Sequence, residues 1–123
     1  MLSVGNTFLV PTPPNNVEHL YIIIAIRESS NSALVVNVTS LKVGCDYTCI
    51  VKFGEHRFVK HDSIINYADA SIRPISNIEY CLTKGIFKKD TSVSAKLLKR
   101  IQDGALQSPA ISRKNLNFVK SNI

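Results

Sequence analysis

Residues 19–27, His-Leu-Tyr-Ile-Ile-Ile-Ala-Ile-Arg, constrain the fold more than any other stretch of the chain. β-Branched and aromatic side chains lose rotamer freedom in a helix and fit a pleated strand. Strand alternation puts Leu20, Ile22, Ile24 and Ile26 on one face and His19, Tyr21, Ile23, Ala25 and Arg27 on the other. This predicts a central strand whose second face is tipped with polar groups. Residues 33–40 repeat the pattern, with Leu34, Val36 and Val38 on one face and Asn37 and Thr39 on the other. The intervening Glu-Ser-Ser-Asn-Ser turn predicts that the two strands form a hairpin.

Other short segments extend the β reading. Residues 6–10 are apolar and are stopped by Pro11, Pro13 and Pro14, which predicts a strand followed by a rigid loop. Residues 49–53, 63–67 and 72–82 add extended pieces, the last interrupted by Pro74. The period changes only near the end, where Val93, Leu97, Leu98, Ile101 and Ala105 recur at helical spacing behind a Ser92 cap, with Gly104 as a late weak point. With no helix between the strands, the fold class expected is mainly β: a small, partly open barrel with one C-terminal amphipathic helix. The 123 residues suit one domain, with residues 1–106 forming the barrel and helix and residues 107–123 a basic tail beyond the break at Ser108-Pro109.

Charge is unevenly spread. Residues 1–83 hold six Lys/Arg against seven Asp/Glu, a net −1, whereas residues 84–123 hold nine against two, a net +7. A positive field confined to one part of a chain favours polyanionic partners. The longest apolar run, residues 20–26, is far below the roughly 20 residues that span a bilayer, so no membrane association is expected. The first residues have no basic region ahead of an apolar one, which argues against a secretory signal and for a chain that begins at Met1. Three cysteines, an odd number, predict free thiols in a reducing, cytoplasmic setting.

The densest set of functional side chains is residues 54–63, Gly-Glu-His-Arg-Phe-Val-Lys-His-Asp-Ser. Histidine moves protons near neutral pH, and Lys or Arg holds a phosphate or a developing negative charge, a set suited to phosphodiester cleavage. In a regular strand His56 and Lys60 face one way and Arg57, His61 and Ser63 the other, so both histidines reach one site only where the chain bends. His19 opens the central strand, and an antiparallel neighbour would bring Asn37 and Thr39 to its face. Cys45, Cys49, His56 and His61 offer four metal-type ligands, but structural zinc sites more often show two-residue spacing, and no metal or cofactor is expected. A Gly-rich phosphate loop, a G-x-S-x-G nucleophile turn and H-E-x-x-H are absent, and the lack of Trp gives little support to a base-stacking platform.

Gly5-Asn6-Thr7-Phe8-Leu9-Val10, the Pro-rich loop, the strand opening at His19, the strand ending Asn37-Val38-Thr39-Ser40, and Lys60-His61-Asp62-Ser63-Ile64-Ile65 together resemble the PemK/MazF/Kid group of toxins over about residues 4–75. The resemblance implies an SH3-like barrel that dimerises, cuts single-stranded RNA without metal, and is silenced by an acidic antitoxin whose tail occupies the site. Thr39 or Ser40 matches the group's strand-end hydroxyl, Ser63 matches the serine of its later strand, and His19 stands where its catalytic arginine is expected. Arginine neutralises charge but is no base, whereas histidine does acid–base work. The expected ribonuclease site is therefore His19 with His61 or His56 as acid and base, Lys60 and Arg27 against the developing charge, Thr39 and Ser63 on the phosphate, and Asn37 and Arg57 as further RNA contacts. The alternative is a non-catalytic barrel that binds nucleic acid or protein through the basic C-terminal part.

Overall fold

Long strands rich in β-branched residues need both faces covered, and the chain meets this with helices at its centre and end. In the computed structural model, which describes residues 1–123, six strands pair antiparallel in the order β4-β5-β3-β2-β1-β6. They are β1 (Thr7–Thr12), β2 (Val17–Arg27), β3 (Ser32–Ser40), β4 (Ile50–Val51), β5 (Ser63–Pro74) and β6 (Lys88–Asp90). The sheet curls into the expected partly open barrel. Its edge strands are short, two residues in β4 and three in β6. Three helices accompany it, α1 (Ile75–Thr83), α2 (Ala95–Gln107) and α3 (Arg113–Asn122). None is long and apolar enough to cross a membrane.

The hairpin of β2 and β3 forms as expected, with Tyr21 opposite Asn37 and Ile22 opposite Val36. The alternation read along β2 holds only to Ile24. A β-bulge between Ile23 and Ala25 inserts one residue, and a one-residue slip reverses the faces. Ala25 accordingly joins Leu20, Ile22 and Ile24 in the larger core, while Ile26 packs with Tyr21 and Ile23 on the opposite side. β1 continues through Pro11 to Thr12, beyond the expected stop. β6 pairs with β1 only from Thr7 to Leu9, so the missing N–H of Pro11 falls where one side of the strand is unpaired. The strand expected over residues 49–53 is reduced to β4.

The larger core lies between one sheet face and the C-terminal helices, where Leu20, Ile22, Leu34, Val36, Ile65 and Tyr67 meet Leu97 and Ile101 of α2 and Phe118 and Val119 of α3. Burying each such aliphatic or aromatic side chain contributes about 1.5–3 kcal/mol. The other face carries Phe8, Tyr21, Ile23 and Val35 beneath Ile75 and Ile78 of α1.

The helices differ from expectation in three ways. Residues 75–83 are helical rather than extended; Pro74 ends β5 in an extended conformation, and Ile75, Ile78 and Leu82 then follow helical spacing. α2 is capped by Ser94, whose side chain accepts a hydrogen bond from Leu97 N, instead of by Ser92. Residues 113–122, within the expected basic tail, form α3 behind a Ser112 cap. Asn115 Nδ2 donates to Ala70 O at 2.9 Å and ties this helix to β5.

Candidate functional site

The largest hollow, about 740 Å³ between the N-terminus, α1 and the β2–β3 turn, is lined by apolar residues with Ser3, Glu28, Asn31 and Glu79 and brings no histidine or cysteine together. The candidate chemistry sits in a smaller cleft of about 260 Å³ at one end of the barrel. It draws Glu18 and His19 from the start of β2, Thr39 and Ser40 from the end of β3, Ser63 from the start of β5, and Phe58 and His61 from the loop before β5.

Strand register explains the convergence. Tyr21 pairs with Asn37, so the antiparallel course carries His19 toward Thr39 one step nearer the barrel end. Ser40 pairs with Ser63, which sets the loop carrying His61 beside the end of β3. His19 Nδ1 lies 2.9 Å from Thr12 Oγ1, an arrangement that fixes the ring and leaves Nε2 unengaged by the protein. His61 Nε2 lies 3.0 Å from Ser40 Oγ, leaving Nδ1 unengaged. Ser63 is buried and donates to the carbonyl of His61 at 2.9 Å. Ser63 thus positions His61, while Thr39 and Ser40 are the hydroxyls with access to a bound group.

The required bend occurs across residues 52–62. Glu55 N donates to Lys52 O at 3.1 Å, and Val59 N donates to His56 O at 3.0 Å. Gly54 adopts φ +91°, which an L side chain resists. Four further links clamp the loop. Glu55 pairs with Arg100 of α2, which also donates to Ile50 O at 2.6 Å. Phe53 N donates to Asp62 at 3.2 Å. Arg57 pairs with Asp90 at 3.3 Å. His56 donates from Nε2 to Thr91 O at 2.6 Å and accepts Phe58 N–H on Nδ1 at 3.0 Å.

His56 is therefore a buried structural histidine, held through both ring nitrogens, and it does not line the cleft. Of the other expected residues, Lys60 is exposed and does not line the cleft. Arg27 lies at the far end of β2, beyond the bulge, with its guanidinium 4.6 Å from the Phe118 ring centroid. Asn37 is buried; its Nδ2 donates to Asp69 at 3.2 Å, and its Oδ1 has no partner. Arg57 lies within the clamped loop and is held by Asp90. Sequence reasoning missed Glu18, Thr12 and Phe58. Glu18 adjoins His19 in the chain, but alternation assigns it to the opposite face, and only the sheet's end exposes both to one cleft.

Ionisation is perturbed elsewhere. The Arg100 bond holds the Glu55 carboxyl below its ordinary value against a smaller effect of burial. Burial pushes the Cys49 thiol up, despite the opposing Arg100 charge. Burial likewise raises Tyr67, whose hydroxyl donates to Ile101 O at 2.7 Å. All three cysteines are free. No group of three or more His, Cys, Asp or Glu side chains is placed to hold a metal ion. No protein-family model matches the chain, and no curated protein matches it.

Proposed function

We propose that the chain is a metal-independent endoribonuclease in which His19 and His61 transfer the protons. The observation that carries the reading is the cleft itself: two imidazoles from separate elements, each fixed through one nitrogen by a hydroxyl, share a hollow with Thr39 and Ser40. Fixed rings with one nitrogen directed to a substrate satisfy the geometric need of acid–base catalysis. One imidazole removes the proton of a ribose 2′-hydroxyl, whose oxygen attacks the adjacent phosphorus. The other, protonated, gives its proton to the departing 5′-oxygen. The products are a 2′,3′-cyclic phosphate and a free 5′-hydroxyl. Thr39 and Ser40 donate to the non-bridging oxygens as negative charge gathers there. On this reading an acidic antitoxin would silence the protein by filling the same cleft.

Purified protein incubated with mixed-sequence RNA in EDTA is expected to release fragments with cyclic or 3′-phosphate ends. His19→Ala and His61→Ala should each lose at least about 10²-fold in rate, the lower range for a proton-transfer group. A bell-shaped pH–rate profile should accompany the wild-type reaction and lose one limb in each variant. RNA left intact by the wild-type chain, or cut equally by both variants, rejects the proposal.

A further inference from the structure

Two ion pairs stand beside the cleft and share an arrangement. Lys88 Nζ lies 3.5 Å from Glu18, itself a cleft residue, with side chains 70% and 39% exposed. Arg57 Nε lies 3.3 Å from Asp90, with side chains 72% and 7% exposed. In both the carboxylate is the more covered partner and the cation stands in solvent. Pairs whose cation stands in solvent add little to stability. Their clearer effect is to fix where each cation stands.

Both pairs belong to one edge. Lys88 and Asp90 are two residues apart on β6, so their side chains leave the same face about 6.6 Å apart. That face is the one on which Leu9, paired with Lys88, packs toward the larger core. Glu18, paired with Pro11, and Leu20, paired with Leu9, lie on it too. The His56 bond to Thr91 O pins the loop next to Arg57 against the end of β6. The cations therefore follow one another along β6, starting from the carboxylate that adjoins His19.

We infer that Lys88 and Arg57 form a subsite for the backbone phosphates of single-stranded RNA flanking the bond held between His19 and His61, with Glu18 and Asp90 as brackets that aim them. This rests on the ribonuclease reading above. A polynucleotide fits better than an acidic peptide because the cations continue a cleft furnished with imidazoles and hydroxyls. Glu18 has a definite sign in this arrangement: it competes with phosphate for Lys88.

The test is the salt dependence of binding of a 2′-O-methyl RNA oligonucleotide, which cannot be cut, followed by fluorescence anisotropy over a KCl series. Lys88→Gln and Arg57→Gln should each reduce the slope of log K against log [KCl] by about 0.7, the value for one phosphate contact on a single strand. Glu18→Gln should tighten binding, and Lys114→Gln on α3, which lines no part of the cleft, should leave the slope as it was. Unchanged slopes in the first two variants overturn the subsite, as does weaker binding by Glu18→Gln, the result of a purely structural pair. Equal loss in Lys114→Gln, or equal competition by a poly-glutamate peptide of the same length, overturns it as well. A wild-type chain that does not bind the oligonucleotide overturns the subsite and the ribonuclease reading together.

Discussion

His56 and His61 lie five positions apart in one loop, and what each ring touches assigns it a different task. Both nitrogens of His56 are occupied inside the protein, by Thr91 O and Phe58 N–H, so its removal takes the partner from Phe58 N–H and leaves Thr91 O with only the bond it accepts from Thr7 Oγ1. His56→Ala should destabilise the fold by about 1–3 kcal/mol in denaturant unfolding, the cost of one stranded polar group. Gly104 makes a second case at this scale. In an exposed helix, Gly→Ala gains about 1 kcal/mol. Here an added Cβ would overlap the Tyr67 hydroxyl, which is anchored on Ile101 O and cannot withdraw without losing that bond. Gly104→Ala should therefore lower stability, by about 1–3 kcal/mol in the same measurement. Arg27→Ala should weaken the packing of α3 through Phe118 and, on the proposed ribonuclease reading, leave cleavage intact, since the guanidinium sits at the opposite end of β2 from His19.

At the scale of elements, the loop of residues 52–62 behaves as a clamped wall, and its main clamp titrates. The Arg100 bond lowers the folded-state pKa of Glu55 from its ordinary 4.5. Burial opposes ionisation of Asp46, but bonds from Ser108 and Thr48 outweigh it and bring that carboxyl below 3.8. The unfolded chain thus binds protons more readily than the folded one, and stability falls as pH drops. The contribution is complete above both ordinary values and disappears as pH falls from there through the lowered folded values. Melting temperatures should decline over that acid range, and Glu55→Gln should flatten part of the decline. The hairpin, the two-faced character of β2 and the helical period of Leu97, Ile101 and Ala105 were legible in the sequence because each is a local pattern. The bulge at Ile24 was not, because it depends on the register of β3. α1 was hidden by Pro74, which reads as a strand breaker and serves as the residue before a helix. α3 carries only Phe118 and Val119 as buried anchors, too few to stand out from its basic residues. Of the site, His19, Thr39, His61 and Ser63 were legible as residue types, whereas their meeting, and the withdrawal of His56, depends on a loop path no periodicity encodes.

In the whole molecule, the curled sheet is covered on one face by α2 and α3 and on the other by α1. Removing residues 108–123 would strip Phe118 and Val119 from the larger core and uncover part of its sheet face. The shortened chain should bind a hydrophobic dye and melt well below the full protein, while a tail with no part in the core would come away without effect. The two ends of the sheet carry a different consequence. An open sheet invites a second chain to continue its ladder, and an edge of two or three residues, one of them Lys-Lys-Asp, offers almost no ladder to continue. Charged lysines on so short an edge disfavour edge-to-edge pairing of an unclosed barrel. Replacing Lys88 and Lys89 with valine should make the protein form sedimentable, dye-binding aggregates under conditions in which the parent chain stays clear.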